Sequence, residues 1–243
     1  MVMDGPKVVF TIDILGGIDI TETVVMGWLV ILIVLGLSLF LTSNLKKIPT
    51  TKRQIVAEML VGFVNNTVKK AMGERFIFMA PYIATILVYS LFGSLISLFG
   101  LRPVTADLNT TMGMALVTFM MITYYKIKTN GFGGYLKGFA SPMALMTPLN
   151  IISEIATPLS MSFRMFGNIA GGTIITSMLY MGLAAASGAL GLSFVFGELE
   201  FHAVQVLIPA VLSLYFDLFT GCIQAYIFAM LTMVNVSIAA DKS

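Results

Sequence analysis

Long apolar runs alternate with short polar segments along the chain, and this pattern predicts a series of membrane-spanning helices. Apolar stretches at about 23–41, 76–101 and 110–125 are interpreted as spans, since a helix needs about 20 such residues to cross hydrocarbon. The preceding segment, 1–22, carries Asp4, Lys7, Asp13 and Asp19 and is predicted to lie outside the membrane on the external side.

The segment 50–73 has an amphipathic pattern instead. Thr51 followed by Gln54 matches a helix-capping box, and apolar residues recur at helical spacing after it. We predict a helix along the cytoplasmic membrane surface, although its apolar face would also suit a partner helix. The apolar positions are Val56, Met59, Leu60, Phe63, Val64 and Val68, and the polar ones are Glu58, Asn65, Asn66, Lys69 and Lys70.

Basic residues follow the first and third predicted spans. Because positive charge collects in cytoplasmic loops, the N-terminus is predicted to face outside and the C-terminus the cytoplasm. The basic residues are Lys46, Lys47, Lys52 and Arg53 after the first span, and Lys126, Lys128 and Lys137 after the third.

The C-terminal region predicts two long helices, at about 147–186 and 200–238, separated by a break at 187–197. The first would measure about 60 Å, roughly twice the hydrocarbon thickness, so it must tilt or bend, with Pro158 as the bend point. The predicted fold is a single all-α polytopic membrane domain. It combines upright transmembrane helices, one interfacial amphipathic helix and a C-terminal hairpin of two long, strongly tilted helices.

Composition supports this class. Of the 243 residues, 58% are hydrophobic and 11% charged, with a mean hydropathy of +0.94. A net charge of +2 does not indicate nucleic-acid binding. One cysteine and one histidine exclude an internal disulfide and a multi-histidine metal centre, so no metal and no cofactor is predicted.

Arg164 lies inside one of the most apolar stretches of the chain. A guanidinium stays charged, and placing it at the bilayer centre costs from about 3 to over 10 kcal/mol. The arginine therefore indicates a function. The alternatives are that it snorkels to a headgroup or pairs with an acid on a neighbouring helix.

Polar residues recur at steps of three or four on both long helices. Two such stripes in a hairpin can face each other, hold water and pass ions, whereas serine and threonine alone often bond their own backbone. The first stripe is Ser153, Thr157, Ser160, Arg164 and Asn168, and the second is Ser213, Asp217, Thr220 and Gln224.

Two segments carry a family resemblance. Residues 160–171, SMSFRMFGNIAG, resemble the arginine motif of the a subunit of F-type rotary ATP synthases, and residues 224–228, QAYIF, resemble its C-terminal motif. The order of predicted elements matches that family over nearly the whole chain.

That resemblance implies an ion-translocating stator subunit without a catalytic centre of its own, in a cell membrane, most simply a bacterial plasma membrane. Its expected partners are a c-subunit ring, a b-subunit peripheral stalk, the catalytic head and the lipid bilayer. Two half-channels would serve the ring, and Arg164 would separate them and attract the ring carboxylate during ATP synthesis or ATP-driven pumping.

The resemblance also assigns roles to single residues. Arg164 matches the family arginine, Asn168 the polar residue one turn later, and Gln224 the glutamine that faces the arginine. Thr173 stands where the family often has an acid or histidine, and Asp217 falls where the family carries an ionisable group that would compensate.

Acidic residues near the helix ends complete the candidates. Glu154 resembles an acid near the cytoplasmic end and is expected to line the inner half-channel. Two interpretations stay open for two further groups. Glu198, Glu200 and His202 form either the outer entrance or a solvated helix start, and Asp107 and Asn109 form either that entrance or a capped turn.

Rival functions are a stand-alone ion channel or secondary transporter, and an intramembrane hydrolase. The two halves show no internal duplication of the kind that transporters often carry. HExxH and GxSxG motifs are absent from the sequence, and His202 is distant along the chain from Cys222. The coupling ion, H⁺ or Na⁺, stays open because its selection belongs to the ring.

Overall fold

The computed structural model describes residues 7–12, 18–43, 45–46, 51–140, 144–189, 193–196, 199–202 and 214–241. Helices dominate this part of the chain and confirm an all-α polytopic membrane protein. The helices are α1 (Glu22–Thr42), α2 (Lys52–Met72), α3 (Ala80–Leu95), α4 (Leu108–Phe139), α5 (Thr147–Ala189) and α6 (Gly221–Ala240). Short 3₁₀ segments occupy Glu74–Met79, Ile96–Phe99, Val104–Ala106 and Ala144–Met146, and a π-helical segment, Leu214–Thr220, leads into α6.

Two small antiparallel hairpins accompany the helices. Strand β1 (Val8–Ile12) pairs with β2 (Ile18–Thr21), and β3 (Ser193–Phe196) pairs with β4 (Leu199–His202). Residues 200–202, assigned from sequence to the last helix, are thus extended. The sequence gives a physical reason, because Leu199, Glu200, Phe201 and His202 alternate between apolar and polar residues, a pattern with the period of a strand.

Three described stretches are long and apolar enough to cross a membrane: Glu22–Thr42, Glu74–Phe99 and Leu218–Ala240. Among the described residues, α4 falls outside this group, although a span was predicted at 110–125. Its polar residues explain the difference, since Thr110, Thr111 and Thr118 lower the mean hydropathy of α4.

Helix α2 covers most of the predicted surface segment and is apolar on two sides. Val68 and Met72 are buried against the bundle, while Met59, Leu60 and Phe63 are exposed. The helix ends at Gly73, whose φ of 87° suits glycine and whose N–H donates to the Lys69 carbonyl. Its position on the membrane surface stays a prediction.

Three apolar clusters join the described helices, and Val30, Ile96 and Val104 form the smallest of them. The first unites α2, the segment leading into α3, α3 itself, α4 and α6 through buried residues that include Val68, Phe76, Ile83, Ile122, Ala229 and Met233. The second unites α3, α4, α5 and α6 through Ile86, Ala115, Met161, Met165 and Phe228. Small residues such as Ala115 and Ala229 let neighbouring helices approach closely in a lipid environment. The second cluster holds one face of α5 against the bundle.

Helix α4 continues past the predicted span 110–125 and kinks at Gly131, where φ is 71° and ψ is 163°. Because glycine has no Cβ, it adopts this left-handed φ without strain. The segment that follows the predicted third span is thus helical on both sides of a kink. Asn150 of α5 donates to the Phe139 carbonyl at 2.8 Å and ties the end of α4 to α5.

Helix α5 has 43 residues and contains Pro158. Proline lacks the N–H that would bond the carbonyl of Glu154, so the helical ladder is interrupted there. The predicted tilt of the C-terminal hairpin stays a prediction.

Candidate functional site

Helix α5 exposes Arg164 on a side that the helix bundle does not cover. Met161, Ser162 and Met165 are buried, whereas Ser160 and Arg164 are exposed. Burial of the two methionines in the apolar cluster explains this orientation, because it leaves the opposite face of the helix uncovered.

Arg164 forms neither a salt bridge nor a hydrogen bond with any residue that the structure describes. Pairing with an acid on a neighbouring helix, one of the alternatives above, thus has no support in these ranges. A guanidinium carries five N–H donors that need acceptors. At membrane depth those acceptors come from water, lipid, another chain or residues outside the part of the chain that the structure describes.

Arg164 borders an open groove of about 320 Å³ between α5 and α6. At about 30 Å³ per water, this volume holds about ten water molecules. The lining residues are Ser153, Ala156, Thr157, Ser160, Met161, Arg164, Leu231 and Asn235. Four of the five residues of the first predicted stripe therefore meet in one groove.

Asn235 is a groove residue that was not among the candidates predicted from the sequence. Its amide has one weak contact, a donation to the Met161 sulfur at 4.0 Å. The periodicity of the second stripe could have identified this residue, because Asn235 follows Gln224 by eleven residues and so continues the helical period.

Gln224 lies elsewhere on α6. It is buried, and the α6 residues that line the groove, Leu231 and Asn235, come seven and eleven positions later, about 10 and 16 Å along the helix axis. Gly221 allows α6 to pack tightly here, since an added Cβ would lie 3.0 Å from the Cβ of Ser94. That Gln224 faces Arg164 stays a prediction.

Other polar residues of the two long helices differ in exposure, and three of them, Thr157, Thr173 and Thr220, donate to the backbone of their own segment. Asn168 is half-buried and Thr173 is exposed, with the Thr173 hydroxyl donating to the Ala170 carbonyl at 2.8 Å. Thr157 donates to the Ser153 carbonyl at 2.9 Å, and Thr220 donates to the Tyr215 carbonyl at 3.4 Å.

Several predicted residues are placed only by backbone or lie outside the described ranges. Asp217 is part of the π-helical segment, and Glu200 and His202 belong to β4. Ser213 and Glu198 lie outside the described residues.

Glu154 is held on the α4 side of α5. The Lys126 ammonium donates to its two carboxylate oxygens at 2.8 and 2.5 Å, and both side chains are largely shielded from solvent. Burial raises the pKa of Tyr135, which lies beyond the predicted span, and the negative charge of Glu154 raises it further. Glu154 is thus part of a polar cluster next to the groove.

Asp107 caps α4. One carboxylate oxygen accepts the Asn109 N–H at 2.9 Å, and the other accepts the Thr23 hydroxyl of α1 at 2.6 Å. Asp107 and Thr23 are both buried. These contacts favour the capped-turn interpretation of Asp107 over an outer entrance.

Comparisons with known proteins agree with the motifs. The family model described as ATP synthase A chain matches residues 24–237. The sodium-ion-specific ATP synthase subunit a of Propionigenium modestum is 32% identical, with 96% of this chain and 84% of the relative covered. Subunit a of Desulforamulus reducens is 33% identical over 89% and 78% of the two chains, and that of Listeria monocytogenes 32% over 93% and 94%. The resemblance is confirmed: the chain belongs to the ATP synthase A chain family, the ion-translocating membrane subunits of F-type ATP synthases.

Proposed function

We propose that this chain presents two aqueous half-channels to a rotating c-subunit ring and that Arg164 separates them. One observation carries the proposal: Arg164 is exposed on the face of α5 that points away from the bundle and has no partner in the described part of the chain. A carboxylate on a passing ring subunit would supply that partner.

Simple electrostatics fits this role. Two unit charges about 4 Å apart interact with roughly 4 kcal/mol at an effective dielectric of 20. That energy corresponds to a carboxylate pKa lowered by about three units, since each unit equals about 1.36 kcal/mol. The ring carboxylate would ionise beside Arg164 and still be released as the ring turns.

The groove is our candidate for the inner half-channel. From Ser153 to Arg164 it follows eleven residues of α5, about 16 Å, or roughly half of the hydrocarbon thickness. Under the predicted orientation this end of α5 is cytoplasmic. We place Glu154 and its partner Lys126 at the inner mouth.

The outer half-channel would continue past Arg164 along the other polar residues of the hairpin. Asn168 and Thr173 on α5 and Gln224 on α6 belong to this set by our proposal. So do Asp217, Thr220 and Ser213, with Glu198, Glu200 and His202 at the entrance. Asp217 would supply the ionisable group that is missing at Thr173.

The partners follow from the same role. Besides the c ring, we propose a b-subunit stalk that prevents rotation of this chain and a catalytic head that makes ATP. A stand-alone transporter is the weaker candidate, because a self-contained protein would satisfy an intramembrane arginine with its own acids.

The test is ATP synthesis in vesicles driven by an imposed ion gradient, with Arg164→Ala and Arg164→Lys compared at matched assembly. We expect synthesis at background in both variants, because lysine lacks the planar fork and can lose its proton in an apolar site. Lys128→Ala, which removes an exposed positive charge that does not line the groove, is the control and should synthesise normally. Undiminished synthesis in Arg164→Ala would refute the proposal, and parallel H⁺ and Na⁺ gradients would identify the ion.

A further inference from the structure

We propose that a buried series of polar contacts, from Thr23 through Asp107 and Thr111 to Ser162, fixes the rotation of α5 and so directs Arg164 away from the bundle. These four are positioning residues, and none of them is placed in contact with the ion. The inference rests on the proposed function, because it gives a reason why the direction of Arg164 matters.

The contacts join three helices that are distant in sequence. Thr23 of α1 donates to the Asp107 carboxylate at 2.6 Å, and Thr111 of α4 lies 3.0 Å from the Ser162 hydroxyl of α5. The Thr111 N–H closes the series by donating to the Asp107 carbonyl at 3.2 Å. Asp107 is 9% exposed and the three hydroxyl residues are fully buried, so water does not compete for these bonds.

Ser162 is well placed to set the direction of Arg164. The two residues are two positions apart, which on an α-helix corresponds to a rotation of about 200°. A bond that holds Ser162 toward α4 therefore turns Arg164 to the opposite side. The exposure of Arg164 agrees with this geometry.

The other polar contacts that tie α5 to α4, those of Asn150 and Glu154, lie on the far side of Pro158 from Ser162. Pro158, four residues before Ser162, interrupts the backbone ladder between them. Met161 and Met165 flank Ser162 in the apolar cluster, but methionine side chains are flexible and adapt to many packings. The hydrogen bond of Ser162 is directional, so it constrains the rotation of α5 more closely than methionine packing does.

The direction of the bond follows from the neighbouring acceptors. The Thr111 hydroxyl lies 3.1 Å from the Leu108 carbonyl and donates there, as threonines in helices do. Ser162 has no other acceptor among the described residues, so its hydroxyl donates to Thr111. Loss of the Thr111 hydroxyl would leave a buried donor unsatisfied, whereas loss of the Ser162 hydroxyl would not.

This asymmetry makes the test specific. In assembled ATP synthase we would compare Thr111→Val, Ser162→Ala, the double variant and Thr111→Ser, with Thr110→Val as control at a partly exposed position. Two quantities are measured per assembled complex: gradient-driven ATP synthesis, and passive ion leak after the catalytic head is removed.

We expect Thr111→Val to lower synthesis roughly tenfold and to raise the leak, because an unsatisfied buried donor drives α5 to rotate. Ser162→Ala should lower synthesis by about twofold and the double variant should recover to that level, since neither leaves a buried donor unsatisfied. Thr111→Ser and Thr110→Val should match the wild type.

A merely structural role would give a different result. Thr111→Val would then reduce the amount of assembled complex and leave synthesis and leak per complex unchanged, which would overturn the proposal. A double variant worse than Thr111→Val would overturn it as well. Arg164→Ala is measured beside them: normal synthesis there would refute the proposed function itself, whereas normal synthesis in Thr111→Val beside an inactive Arg164→Ala would refute positioning alone.

Discussion

Helices α1 and α5 both expose most of their surface, and they differ in the polar residues that they expose. Leu32, Leu35 and Leu39 on α1 are exposed, apolar side chains, as expected of a helix that faces lipid. Helix α5 exposes apolar residues as well, such as Ile152 and Ile155, but it also exposes Ser160 and Arg164 along one line, beside a groove. Exposure in a membrane protein thus marks a lipid contact when the side chain is apolar and a water or partner contact when it is charged.

The two helices also differ in how they are held. Contacts of α1 with the bundle concentrate near its N-terminal end, where Thr23, Gly27 and Val30 are buried and a Cβ at Gly27 would lie 3.1 Å from the Tyr89 hydroxyl. Helix α5 is held beside Arg164 itself, by Met161, Ser162 and Met165. The buried residues of α1 thus lie near one end of the helix, whereas those of α5 lie next to Arg164.

An arginine placed on the lipid-facing side of α1 should have the largest effect of the changes considered. We expect Leu32→Arg to prevent stable insertion of α1, because a lipid-facing arginine costs about 3 kcal/mol or more and has no groove beside it. The amount of this chain in washed membranes measures the effect, with Leu32→Ala as the control. Normal accumulation of Leu32→Arg would show that α1 does not face lipid.

Removal of the cap shared by α1 and α4 should have the next largest effect. Asp107→Ala removes the cap and the acceptor of the buried Thr23 hydroxyl, so we expect a loss of about 2 kcal/mol. The thermal unfolding midpoint of the purified complex measures this loss. Asn109→Ala is the matched control, because its backbone N–H still meets Asp107. Equal midpoints for the two variants would contradict the role of Asp107.

Loss of the ion pair between Lys126 of α4 and Glu154 of α5 should have a smaller effect on stability. Lys126→Met leaves the shielded Glu154 carboxylate without its partner, and we expect a loss of about 1 to 2 kcal/mol. The double variant Lys126→Met with Glu154→Gln should regain most of it, since no charge is left alone. A double-mutant cycle on thermal unfolding checks this, and additive losses would show that the pair is not coupled.

A surface pair provides the smallest expected effect. Arg75 meets Asp241 at 2.8 Å near the end of α6, but both side chains are mostly exposed. We expect Arg75→Ala to lower stability by less than about 1 kcal/mol and to leave ATP synthesis unchanged. A loss as large as that of Asp107→Ala would mean that the α6 end is held more tightly than its exposure suggests.

The sequence predicted well those features that depend on local periodicity. The span 23–41 agrees with α1 to within one residue at each end, because continuous apolarity alone defines an anchor. The stripe from Ser153 to Arg164 predicted one side of the groove for the same reason. Asn235 belonged to the second stripe and was missed because the stripe was ended at Gln224.

Features that depend on contacts between distant segments could not be read from periodicity. Lys126 and Glu154 are 28 positions apart, and Thr23 and Asp107 are 84 apart. Their pairing follows from how α1, α4 and α5 pack, and one-dimensional spacing contains no such information. The strand β4 was missed although its residues, Leu199 to His202, alternate between apolar and polar, because four residues are too short a run to outweigh the long apolar stretch that follows.

The most direct test of the contrast between the two helices is the reaction of single cysteines with a charged, membrane-impermeant thiol reagent. In a Cys222→Ser background, Ser160→Cys on α5 and Leu32→Cys on α1 occupy exposed positions of opposite predicted environment. Thiolates form and react only where water reaches them. We predict rapid labelling at residue 160 from the cytoplasmic side and none at residue 32. Equal labelling of the two positions, or none at residue 160, would contradict a water-filled groove leading to Arg164.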